Sequence, residues 1–237
     1  MHDASNRVWP HDAAALSREQ ERLAALTPPP WQPGGEPFLV GGCFLAFAPG
    51  EQGPGHAGDH GWAAATVVEC PGLTTVASAV VPCVVGAAYA RGQLARREGP
   101  ALTEAVDALT IRPDVLLVDA TGRDHPRGAG LALQLGAVLG IPTIGVTQRT
   151  LLAAGDEPGL ERGDRAPLWL RGEVVGAWVR TQRNVRSLAV HAAWRVDVDT
   201  AVRVVLASTG KVRAPEPLRR ARTIARKSRA DARATGG

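Results

Sequence analysis

The stretch from 112 to 146, RPDVLLVDATGRDHPRGAGLALQLGAVLGIPTIGV, constrains the fold more than any other part of the chain. It opens with a short apolar run, 114–119, that ends in Asp119. A Gly-rich turn follows, then an apolar helix over about 129–139 and a second short apolar run at 142–146. Two apolar runs joined through a helix imply a parallel strand pair with a right-handed crossover. Elsewhere the signals are antiparallel: 62–70 and 73–81 read as two strands around a Pro71-Gly72 turn. The apolar run 38–47 reads as a buried strand, 49–61 as a Gly-rich loop with two histidines, and 173–180 and 186–191 as two further strands. Helices are predicted over 12–26, with Asp12 as N-cap and three prolines as the stop, over part of 87–109, and over 197–208, which opens with Asp197 and Asp199. The composition is helical again after Pro217. The expected architecture is α/β, a mixed sheet with helices on both faces.

Neither a repeat nor a clear linker interrupts the chain. Its 237 residues are read as one domain, with an N-terminal helix about 12–26, a core about 38–210 and a basic tail about 211–237. A hydrophobic fraction of 45% and a charged fraction of 21% suit a globular protein. No apolar run reaches the roughly 18 residues needed to cross a bilayer, and Met1 to Pro10 contains no apolar signal core. Cys43, Cys70 and Cys83 show no metal-ligand spacing. The simplest reading is a reduced, cytoplasmic protein without disulfides or membrane contact.

Charge is unevenly spread. From 211 onward there are nine basic residues against Glu216 and Asp231, so the remainder, with 18 basic and 21 acidic residues, is net negative. A positive segment suits a polyanion such as nucleic acid; the bland alternative is a solubilising tail. Lysine is nearly absent: Lys211 and Lys227 stand against 25 arginines.

Three segments carry a family resemblance. The run 112–146 resembles the core segment of the endonuclease V family, which has a strand ending in Asp, a Gly-containing turn, His-Pro-Arg, an apolar helix and Pro-Thr-Ile-Gly-Val. REGPAL at 97–102 resembles the family's Arg-Glu-x-Pro helix element. VRAPEPLRRA at 212–221 resembles its C-terminal Pro-Glu-Pro-Thr-Arg element, with Leu218 in place of Thr. The resemblance runs from about 12 to about 226. It implies a ribonuclease H-like fold and hydrolysis of a phosphodiester near deoxyinosine in DNA, or inosine in RNA, with Mg²⁺ or alternatively Mn²⁺. Such chemistry needs acids from different elements around a hard cation. Asp119 and Glu98 match the family's metal-ligand and catalytic positions. Tyr89, in Ala88-Tyr89-Ala90-Arg91, matches its strand-separating wedge, and the turn with Gly122, His125, Pro126 and Arg127 matches its base-pocket loop. Without the family, Glu98 reads as a solvated helix residue, Tyr89 as packing and His125 as a surface loop histidine.

The departures are specific. Cys43 stands where the family has an Asp, Gln148 where it has a Lys, and Trp194 where it has a late His; the wedge has lost its prolines. Replacing one preorganised electrostatic group typically costs on the order of 10²–10³ in rate, and a soft thiol is a poor Mg²⁺ ligand. Weak metal binding is therefore expected. Arg149 or His191 could compensate, and Trp194 could fill the pocket. The primary reading is a metal-dependent nuclease with a partly degenerate centre acting on DNA or RNA. The alternatives are a non-catalytic nucleic-acid binder on the same fold and a thiol enzyme using Cys43.

Overall fold

The computed structural model describes residues 9–48 and 55–235. The elements are α1 (Ala13–Ala24), β1 (Phe38–Phe47), β2 (His60–Cys70), β3 (Thr74–Val84), α2 (Leu94–Asp107), β4 (Val115–Val118), α3 (Leu131–Leu139), β5 (Thr143–Thr147), β6 (Arg165–Leu170), β7 (Glu173–Val179), β8 (Leu188–Ala192), α4 (Val198–Ala207) and α5 (Glu216–Thr235). They build one sheet in the order β3-β2-β1-β4-β5-β8-β7-β6. Strand β4 runs parallel to β1 and β5, and the other neighbours pair antiparallel.

All four residues of β4 are buried, which explains its uninterrupted VLLV: a strand covered on both faces cannot alternate. One face packs Leu16 and Leu23 of α1, Leu102 and Val106 of α2, and Leu131 and Leu135 of α3. The other packs Val202 and Val205 of α4 and Leu218 of α5. Helices thus cover both faces, as expected. The helix starts follow from their caps: Asp12 accepts from the Ala15 N–H, and Asp197 from the Thr200 N–H.

Three expectations need revision. The sequence reading has no strand at 165–170, yet β6 forms there as the sheet's edge. Its Pro167 argues against an interior strand but is tolerated at an edge, where one face of N–H groups has no partner. Of the loop expected at 49–61, residues 49–54 lie outside the described residues, and His60 already opens β2. The basic segment is not an appended tail: α5 docks on β1 and β2 with Leu218, Ala221 and Ala225 buried. Its start approaches β1 closely because Gly42 carries no side chain. A Cβ there would collide with the backbone of Pro217 and Leu218.

Candidate functional site

Parallel pairing sets Cys43 opposite Val118, so Asp119, one residue past the end of β4, emerges beside Phe44. Successive strand residues face opposite sides. Cys43 accordingly points into the layer under α2 and α3, and Phe44 packs with Ile224 and Ala225 under α5. From α2, Glu98 reaches the same place. Cys43, Glu98 and Asp119 line one cavity of about 290 Å³, walled by Phe44, Phe47, Leu94 and Leu131. The sequence-predicted carboxylates are thus brought together with the substituted position. Burial, and then the charge of Asp119, push the Glu98 carboxyl up to about 7, which Arg97 only partly offsets. Arg97 itself is turned away. It pairs with Asp59, donates to the carbonyls of His56 and Ala87, and lies over the Phe47 ring.

Asp119 has a partner that the sequence reading does not anticipate. Arg222 of α5 donates from Nη2 to Asp119 Oδ2 at 2.7 Å, and its guanidinium sits 4.9 Å from the centre of the Phe44 ring. Helical spacing is the one faint signal for it. Arg222 follows the buried Leu218 by one turn, so it shares the helix face turned toward the sheet.

On the other side of Asp119 lies a second cavity, of about 220 Å³, lined among others by Tyr89, Gly92, Thr121, His125, Thr147 and Leu151. Tyr89 is half exposed at its rim. His125 is buried. Its Nδ1 accepts from the Arg127 N–H and its Nε2 lies 3.2 Å from the Gly92 carbonyl, so the ring bridges the turn to the loop before α2. Burial above all holds its pKa down to about 4, so the ring is neutral. Arg127 does not line this cavity; it braces α1 and the loop, donating to Gln20 Oε1 at 2.6 Å and to the Gly92 carbonyl. Gly122 is required by the turn's own packing, because a Cβ would strike the Ala192 carbonyl.

Thr147 borders this cavity and also a third one of about 220 Å³, which Gln148 lines together with Asp119 and Arg222. Behind Thr147 is His191, fully buried, its Nε2 2.9 Å from Thr147 Oγ1; that hydroxyl donates onward to the Arg149 carbonyl. Asp124, missed by sequence reasoning, lies 3.9 Å from His191 Nδ1 and accepts three backbone N–H groups, from Leu151, Leu152 and Ala153. Its place two residues after Gly122 in a Gly-rich turn is the only sequence hint. Trp194 does not fill the pocket, contrary to expectation. It packs in the apolar layer at α3, close against Gly136. The Arg149 side chain is exposed and lines none of these three cavities.

A divalent ion such as Mg²⁺ takes oxygen ligands. Two carboxylates and a thiol converge here. Burial, with Glu98 and Asp119 nearby, pushes the Cys43 thiol far above its ordinary range, and a thiol is a soft, poor partner for a hard ion. One of the two carboxylates already holds a guanidinium. Among the described residues no group of three or more His, Cys, Asp and Glu side chains is arranged to hold a metal. The residues present do not fit a tightly bound divalent ion.

The sequence profile of the family described as Endonuclease V matches residues 36–223. An Endonuclease V of Geotalea uraniireducens is 40% identical over 218 residues, covering 90% of this chain and 88% of its own. The crystal structure of the Endonuclease V from Streptomyces avermitilis superposes with a TM-score of 0.84 at 34% identity, covering 94% of this chain and 96% of that one. A Ciona intestinalis Endonuclease V in complex with a 24mer DNA containing an inosine followed by a ribo-adenosine gives a TM-score of 0.76 at 21% identity, covering 91% and 96%; that likeness is one of fold. The fold is thus of the ribonuclease H-like type.

Proposed function

Because the chain belongs to the endonuclease V family, we propose that it acts on nucleic acid, DNA or RNA, with an inosine-containing strand as the first substrate to try. The observation that carries this reading is the position of Asp119 between two cavities. One contains Glu98 and Cys43; the other has Tyr89 at its rim and Ala120, Thr121 and His125 of the Gly-rich turn in its wall. An enzyme that works beside an extruded base needs such a pair of adjoining spaces, one for the base and one for the phosphate. Tyr89 stacks on a base in this reading, a contact worth roughly 1–3 kcal/mol. Asp119 and Glu98 are the catalytic pair, and Arg127 acts indirectly by holding the turn.

A second reading, a nucleic-acid binder that no longer cuts, is favoured by Cys43 and by the Arg222–Asp119 pair. Weak Mg²⁺ or Mn²⁺ binding follows from either reading, and calorimetry is expected to give a Kd in the millimolar range or above, on the order expected for two ligands. Tight, micromolar Mg²⁺ binding would contradict it. A labelled strand with a single inosine separates the two readings. Binding with product formation on adding Mg²⁺ or Mn²⁺ supports the nuclease; binding without product supports the non-cutting form. Failure to bind any strand removes both.

A further inference from the structure

The cavity of about 220 Å³ between β5 and the start of α5 is lined by Asp119, Thr147, Gln148, Arg213, Arg219 and Arg222, among others. Three arginines thus line the same cavity as one carboxylate, Asp119. Arg219 is held by Glu216 through bonds of 3.0 and 2.6 Å. Arg222 is held by Asp119, and Arg213 donates to the Ser187 carbonyl. Counting Glu216 and Asp119 against the three arginines leaves the wall net positive. Arg213 and Arg222 share a further property. Each has a buried Nε–H without a hydrogen-bond partner. Burial, and then Arg186, lower the Arg213 pKa, which Glu157 partly offsets. An oxyanion in this cavity would offset the positive excess that the three arginines leave along its wall.

We propose that this cavity is a phosphate-binding site in which Arg222 stands, at Asp119, where a divalent cation would otherwise stand, so that a nucleic-acid phosphate is held by guanidinium groups without metal. The proposal deepens the nucleic-acid reading and rests on it for the identity of the polymer, but the oxyanion site itself follows from the cavity. Arg222 neutralises Asp119, which would otherwise repel a phosphate, and its planar fork leaves N–H groups free for phosphate oxygens. Gln148, at the cavity's edge, supplies an amide donor in place of a cation.

The test uses the full chain with two probes, inorganic pyrophosphate in EDTA and a fluorescein-labelled single-stranded oligonucleotide in EDTA and in MgCl₂. The strand is expected to bind equally, within about twofold, with and without Mg²⁺, and in EDTA pyrophosphate is expected to compete with it. Arg222→Ala should weaken both by about tenfold and lower the salt slope of strand binding by about one. It should also tighten Mn²⁺ binding about tenfold or more, because Asp119 is released. Arg222→Gln, which keeps the stem over Phe44, is the companion should the alanine variant lose its circular dichroism spectrum. Strand binding that requires Mg²⁺, or variants with unchanged salt slope and Mn²⁺ affinity, overturns the proposal while leaving the nucleic-acid reading intact. Pyrophosphate binding in EDTA without any strand binding does the reverse.

Discussion

Position 43 delivers its side chain into a closed layer, 1% exposed, within the cavity that Glu98 and Asp119 share. A carboxylate placed there without a cation is a buried, uncompensated charge. Cys43→Asp is therefore expected to destabilise the fold by about 3 kcal/mol in EDTA, with part of the loss recovered in MnCl₂. Urea denaturation with and without the ion measures both, and equal midpoints would show that position 43 does not face the carboxylates. Adding Gln148→Lys and Arg222→Ala restores the acid and the cation and clears Asp119. This triple variant is expected to cleave an inosine-containing strand at least tenfold faster than the parent, about 1.4 kcal/mol of barrier. These residues also mark how far the site could be read from sequence. That Asp119 and Glu98 would converge was legible only through the family resemblance, since on its own spacing Glu98 reads as a solvated helix residue, yet the two share one cavity. Arg222 was not, since its contact spans 103 residues and depends on where α5 lands. The sequence leaves Trp194 free to fill the pocket, but the chain turns after β8 and sends it toward α3, leaving His191 behind Thr147.

At the scale of elements, α5 behaves as two halves. Up to Ala225 it buries Leu218 and Ala221 against the sheet, whereas from Asp231 to Ala234 its residues are exposed. Truncation before residue 231 should leave the melting temperature within a few degrees, as surface changes usually do. Truncation before Leu218 should abolish cooperative unfolding, because it strips the cover from β1 and β2. Thermal melts of the two proteins decide this, and a folded short form would mean that α5 is dispensable. The charge pattern pointed to a tail, because arginine stems hide their packing role: in α5 a helix of very low mean hydropathy still docks through a narrow stripe of Leu and Ala. Strand β6 was illegible for a related reason. Its alternation is interrupted by Pro167, and only its place at the edge makes that residue harmless. Strand β4 was the opposite case: an apolar run of four, too short for a helix and bounded by Asp114 and Asp119, fits a doubly covered strand.

For the whole molecule, three buried groups shape the pH response between about 4.5 and 6.5, and their signs differ, whereas Glu216, held below its ordinary range by Arg219 above all, acts at lower pH. His125 and His191 both have pKa values held down to about 4, chiefly by burial. Unfolded histidine titrates near 6.5, so between about 4 and 6.5 the unfolded chain binds protons at both sites that the fold refuses. Their contribution to stability is full above this window and is lost as pH falls through it. Glu98 acts the other way. Its folded carboxyl titrates at about 7 against an ordinary 4.5, so the fold holds a proton that the unfolded chain releases, and stability is lost as pH rises from 4.5 to 7. Between about 4.5 and 6.5 the three overlap. Two protons are taken up on unfolding and one is released, for a net uptake of about one, or a rise in stability of roughly 1.4 kcal/mol per pH unit. Removing the opposing group should steepen the slope: Glu98→Gln is expected to show about twice the parent's dependence, and His125→Gln, which can still donate to the Gly92 carbonyl, close to none. Urea denaturation at several pH values between 5 and 6.5, in EDTA, measures all three proteins. If Glu98→Gln leaves the slope unchanged, the carboxyl is already ionised in the fold and the cavity beside Asp119 is wetter than its apolar walls imply.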